Sequence, residues 1–146
     1  MPFTVGSPAF AEGSEIPKPH TCDGADAPPP LTIRDAPDGT RSFAIIMDDP
    51  DAPRGTFTHW LVYDIPAGGA FDPDRGKTLR SDFGRGGYGG PCPPPGHGPH
   101  RYHFTVHAVD VPSLALEGAT RRYLEAALEG HTLATARLTG RYERRR

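Results

Sequence analysis

Lysine is nearly missing from this chain of 146 residues: two Lys stand against fourteen Arg, and the formal net charge is −2. Without a basic excess, a nucleic-acid interface is not expected. Long apolar runs are missing too. The longest are roughly six residues, far short of the ~20 needed to cross a bilayer as a helix, so no membrane span is expected. The first residues, Met1-Pro2-Phe3-Thr4-Val5, have neither a basic region nor a long apolar one. No secretion signal is therefore expected, and the chain is read as cytoplasmic. Cysteine is scarce, with only Cys22 and Cys92. Two are too few for a disulfide scaffold, they form no CxxC pair, and in the cytosol the default is two reduced thiols. There is no GxxxxGK[ST] loop, no clean GxGxxG, no serine in a nucleophile elbow and no internal repeat.

Glycine and proline are abundant, at 18 residues each. They cluster between apolar runs, as in short strands joined by ordered loops. Ser42–Met47 is apolar almost throughout, like a strand buried on both faces. It stops at Asp48-Asp49-Pro50-Asp51-Ala52-Pro53, where two prolines forbid continuation and place the carboxylates on a stiff loop. Trp60–Ile65 reads as a second strand. Tyr102, Phe104, Val106 and Ala108 alternate with His103, Thr105 and His107 in a third. Leu133–Tyr142 reads as the last. The one helix is Arg121–Glu129, with a stripe of Tyr123, Leu124, Ala127 and Leu128, Thr120 placed to cap it and Gly130 to stop it. Arg121 and Arg122 in its first turn oppose the macrodipole. This order of elements predicts one mainly β domain over residues 1–146, an antiparallel β-sandwich with a peripheral helix.

Two loops carry the candidate chemistry. The first is Asp49–Pro53, followed by His59. The second, Gly84–Gly98, holds seven glycines and four prolines and leads into His100-Arg101-Tyr102. Glycines allow close backbone approach and can turn N–H groups toward an anion. His100 and Tyr102, two apart at a strand start, share a face and can both donate to one anion. Arg101 points the other way, toward a carboxylate. Asp51 is read as bonding its own loop, and His97, His103, His107 and His131 as structural. For Cys22 and Cys92, a disulfide or a redox role stays open as the alternative to free thiols. A zinc site from Asp49, Asp51, His59 and His100 is chemically conceivable, but the spacing fits no usual metal pattern.

Asp49-Pro50-Asp51-Ala52-Pro53 resembles the DPDAP signature of the phosphatidylethanolamine-binding protein family, which includes the Raf kinase inhibitor proteins. Gly90-Pro91-Cys92-Pro93-Pro94 with His100-Arg101-Tyr102-His103-Phe104 resembles its second signature. Thr21-Cys22-Asp23-Gly24, Gly55–Trp60 and Gly130-His131 are similar to the bacterial branch. Ala27-Pro28 departs from an expected Ser-Pro, outside the motifs. The resemblance spans roughly residues 15–143 and implies two antiparallel sheets in a Greek-key sandwich with one or two short peripheral helices. It also implies a small pocket for phosphate or phosphorylated head groups, walled by Asp49, His59, Gly90, Pro91, His100 and Tyr102, with no metal or other cofactor. Asp49 is expected to orient His59 or accept from a ligand ammonium.

Three functions follow as expectations. The favoured one is a binding protein for small anions, with regulation of a kinase or protease by analogy. The second is a metal-independent hydrolase of phosphoesters or esters using Asp49, His59 and His100. The third is a protein-interaction module using residues 67–90 or the Arg-rich end 141–146, whose last three arginines are read as a frayed tail. Relatives of the bacterial type often pair, so a homodimer is also expected.

Overall fold

The computed structural model describes residues 2–145. Its centre is a five-stranded antiparallel sheet built from β3 (Ser42–Asp49), β4 (Phe57–Pro66), β5 (Lys77–Thr78), β6 (His100–Val109) and β7 (Thr132–Tyr142). The strands lie side by side in the order β5-β4-β3-β6-β7. Three consecutive strands with the fourth returning beside the first make the Greek-key arrangement. A two-stranded antiparallel sheet, β1 (Thr4–Gly6) with β2 (Thr32–Arg34), completes the pair of sheets.

The large sheet is covered on both faces, which explains why β3 is apolar without alternation. Its inner face carries Phe43, Ile45, Met47, Trp60, Val62, Tyr102, Phe104 and Val106, packed with Phe10, Ile16 and Leu31 from the N-terminal segment. Phe3, Val5 and Ile33 bring the small sheet against this cluster. The outer face presents Ala44, Ile46, Leu61 and Val109 to Leu124 and Leu128 of α1 (Arg121–Leu128). Gly140 is required where β7 passes the N-terminal segment, because a Cβ there would stand 2.5 Å from Ile16 and 2.8 Å from Phe10.

The strands run further than their apolar cores suggest. β3 extends through Asp48 and Asp49, so these carboxylates end a strand and are not on a loop. The short strands β1, β2 and β5 carry too few residues to show a period in the sequence. Thr120 precedes α1 but makes no side-chain cap. Arg121 tolerates its unfavourable place in the first turn because it leaves the helix dipole for a partner. Its guanidinium donates to Asp48 Oδ2 at 2.8 Å and to Thr58 Oγ1 at 3.0 Å, tying α1 to the outer face of β3 and β4.

Candidate functional site

Four strand-borne side chains meet at one end of the inner face. In β6 the alternation is regular, so His100 and Tyr102 follow Phe104 and Val106 inward; both are at most 2% exposed. In β3, Asp48 faces outward to Arg121 and Asp49 inward. In β4 the alternation alone would place His59 opposite to Trp60. A bulge changes that: Met47 pairs with Trp60, but Asp48 pairs with Thr58, leaving His59 as the extra residue. Bulges re-aim side chains, and this one puts His59 into the inner layer, at an edge-to-face ring distance of 5.3 Å from Tyr102.

Together these groups line a cavity of about 220 Å³ with Ala52, Pro53, Phe57, Phe83, Cys92, Pro93 and Pro94. Its walls are apolar and its polar groups gather on Asp49, His59, His100 and Tyr102. A wider trough of about 470 Å³ lies on the outer face beside α1, but its Arg121 is already committed to Asp48.

The hydrogen bonds fix most proton positions. Asp49 Oδ1 accepts from the Asp51 N–H at 2.7 Å and Oδ2 from His100 Nδ1 at 2.7 Å. A carboxylate can only accept, so Nδ1 of His100 carries the proton. His59 Nδ1 donates to the Gly89 carbonyl at 2.7 Å, so in neutral His59 the lone pair is on Nε2. Burial pulls the His59 pKa down, against the Gly89 carbonyl and the charge of Asp49, which both pull it up. Burial, aided by the charge of Asp49, pushes the Tyr102 phenol far up, so it remains a neutral donor.

Several expectations need correction. Asp49 orients His100, not His59. Gly90 and Pro91 adjoin the cavity without lining it. The Gly90 N–H donates to Asp26 Oδ1 at 2.8 Å and the Gly89 N–H to the His59 carbonyl, so these glycine N–H groups are spent within the protein. Gly90 is a glycine for close approach, since a Cβ would strike the His20 carbonyl and Asp26. Asp51 bonds its own loop only through its backbone N–H; its carboxylate reaches the start of β6. It accepts from the Arg101 backbone N–H at 2.8 Å and from the guanidinium at 2.9 and 3.0 Å, and the Arg101 side-chain bonds hold its pKa down at about 2. Arg101 thus pairs with a carboxylate as its strand phase implies, and Asp51 is no candidate zinc ligand facing the cavity.

The cysteines are not free thiols: Cys22 and Cys92 form a disulfide across 70 residues of sequence. The physical reason is local. The segments run side by side, with the Cys22 N–H on the Pro91 carbonyl at 3.1 Å and the Tyr88 hydroxyl on the His20 carbonyl at 2.7 Å. Arg144 is not frayed either, since it reaches Asp23 at 3.3 Å and its carbonyl accepts from the Gly96 N–H; Arg146 lies outside the described residues. The residue that sequence reasoning missed is His97, whose Nδ1 stands 2.6 Å from His100 Nε2. It sits in an irregular loop where no strand phase could assign it a direction.

Among the described residues no helix is long and apolar enough to cross a membrane. Comparison with known proteins agrees with the architecture. Residues 6–143 match the family model described as phosphatidylethanolamine-binding protein. A UPF0098 protein of Aquifex aeolicus is 51% identical, over 96% of this chain and 88% of its own length. The crystal structure of a phosphatidylethanolamine-binding protein homologue from Chlamydia trachomatis superposes with a TM-score of 0.86 at 35% identity, covering 98% of both chains. That of E. coli YbcL, described as a new member of the mammalian family, gives 0.88 at 32% identity, covering 98% of this chain and 99% of its own. With this match over almost the whole chain, and with both signature loops folded around one cavity, the chain belongs to the phosphatidylethanolamine-binding protein family.

Proposed function

We propose that this protein binds small anions, inorganic phosphate or a phosphorylated head group, in the cavity between β3, β4 and β6. The observation that carries the reading is the convergence of Asp49, His59, His100 and Tyr102, each at most 4% exposed, on a cavity of about 220 Å³. That volume suits a phosphate with a short substituent, and its apolar walls strengthen each polar contact by excluding water. Tyr102 donates its phenol. His100, with Nδ1 committed to Asp49, can donate from Nε2 only as imidazolium, and His59 can donate from Nε2 only when protonated. Asp49 balances that charge and favours a ligand that brings its own ammonium. Gly90 and Pro91 contribute by holding the wall in place.

The test is a titration with phosphate and with phosphorylethanolamine, following histidine ring signals by NMR at pH 6 and pH 8. Saturable shifts of His59 and His100, weaker at pH 8 and lost in Tyr102→Phe with His100→Ala, are expected. No response at millimolar ligand would refute the reading. The Asp49–His100 pair at 2.7 Å also resembles a general base with its orienter, so p-nitrophenyl phosphate turnover is measured in parallel. Stoichiometric binding without turnover is expected, because the cavity wall offers no free serine, threonine or thiol nucleophile and Cys92 is in the disulfide. A phosphorylated side chain of a partner would fit the same pocket, which is how kinase or protease regulation would follow.

A further inference from the structure

Neither nitrogen of His100 is free. Nδ1 donates to Asp49 at 2.7 Å, and Nε2 meets His97 Nδ1 at 2.6 Å. With His100 neutral, its Nε2 is an acceptor, so His97 is the donor in this contact. The two rings lie 4.9 Å apart, tilted by 65°, so the contact is directed along ring nitrogens and is not a stack. An anion oxygen held by His100 would need the same Nε2, from the same side of the ring. His100 is 2% exposed and fixed by Asp49 on β3, so it cannot turn away to offer another atom.

His97, in contrast, sits between Gly96 at φ +77° and Gly98 at φ +84°. Its loop is held by two backbone bonds, His97 N–H to the Pro94 carbonyl at 3.2 Å and Gly96 N–H to the Arg144 carbonyl at 2.8 Å. Glycines on both sides can absorb the dihedral change that moves a single side chain without disturbing β6.

We infer that His97 is an affinity-determining residue that competes with the anion for His100, so that the pocket fills only as the 94–98 loop withdraws its ring. Resting on the anion-pocket reading above, it adds an internal competitor that sets the affinity. Selectivity for anions follows from the same contact. A ligand must replace one directed hydrogen bond to His100, which an apolar or cationic molecule entering the same cavity does not do.

The test compares inorganic phosphate binding by calorimetry in wild type, His97→Ala and His97→Leu, neither of which offers a donor to His100, all at one pH. Giving up a neutral hydrogen bond of typical net strength corresponds to roughly five- to tenfold in Kd. Both variants should therefore bind phosphate roughly five- to tenfold more tightly than wild type. Before any ligand is added, their His100 Nε2 resonance should move to the position of an imidazole without its partner. If wild type binds phosphate and the variants bind equally or more weakly, His97 is a spectator or a ligand contact and the inference is overturned while the pocket reading stands. If none of the three binds, the pocket reading fails and the inference falls with it.

Discussion

His107 should make the protein sensitive to acid. It lies on the outer face of β6, and its Nδ1 is buried without a hydrogen-bond partner among the described residues. Burial first, then the charges of Arg121 and Arg137, lower its pKa from the ordinary 6.5 to about 4. In the unfolded chain the ring takes up a proton near pH 6.5, and in the folded protein not until about pH 4. Between these values the unfolded state binds more protons, so stability falls as the pH falls, by about 1.4 kcal/mol per pH unit. Across the whole window the loss is about 3 kcal/mol, and about 2 once the partial exposure of the ring is allowed for. His107→Leu removes the titration and keeps the volume. Urea unfolding of both proteins, disulfide intact, at steps from pH 7.5 to pH 4 gives the difference in stability. His59, also lowered by burial, contributes with the same sign to both proteins and cancels. The variant should gain about 2–3 kcal/mol on wild type between the ends of the series. Parallel curves would refute the reasoning, because they would mean that His107 titrates alike in both states.

Two further predictions concern stability. The Cys22–Cys92 bond closes a loop of 70 residues, worth about 4 kcal/mol in the chain-entropy description, so the double serine variant should lose roughly that in guanidinium unfolding. Thiols that react with Ellman's reagent in denatured, unreduced protein would contradict the bond itself. Phe104 is fully buried in the inner layer, and Phe104→Ala should cost about 3–5 kcal/mol by the same assay, with a loss below ~1 kcal/mol arguing against the packing described.

Much of the architecture could be read in advance because it depends on local patterns. The period of two in β6 places His100, Tyr102 and Phe104 on one face, and the structure keeps that phase. The unbroken apolar run of β3 signals a strand covered twice, as α1 and the N-terminal segment do. What could not be read depends on contacts distant in sequence. The inward turn of His59 comes from a bulge defined by its pairing with β3, which no property of the β4 sequence announces. The disulfide depends on residues 20–26 running beside residues 88–92, a juxtaposition fixed by the N-terminal segment's path over the inner layer. The spent N–H groups of Gly89 and Gly90 have the same origin: glycine reports that a backbone comes close, but not whether ligand or protein occupies the space.

The disulfide also has a mechanical consequence. A force applied to the two ends of the chain travels from Cys22 to Cys92 through one covalent bond, and the stretch of chain between them is bypassed. About 240 Å of contour length stays hidden until the bond is reduced. Under tension, β6 and β7 would peel while β3 and β4 stayed slack. The cavity would then part along a seam, with Asp49 and His59 on the sheltered side and His100 and Tyr102 on the loaded one. Cys92, at the rim of that cavity, is the point where the two sides remain joined. In single-molecule pulling, the oxidised protein should therefore show a short extension and rapid recovery of the pocket, and the reduced protein a long one.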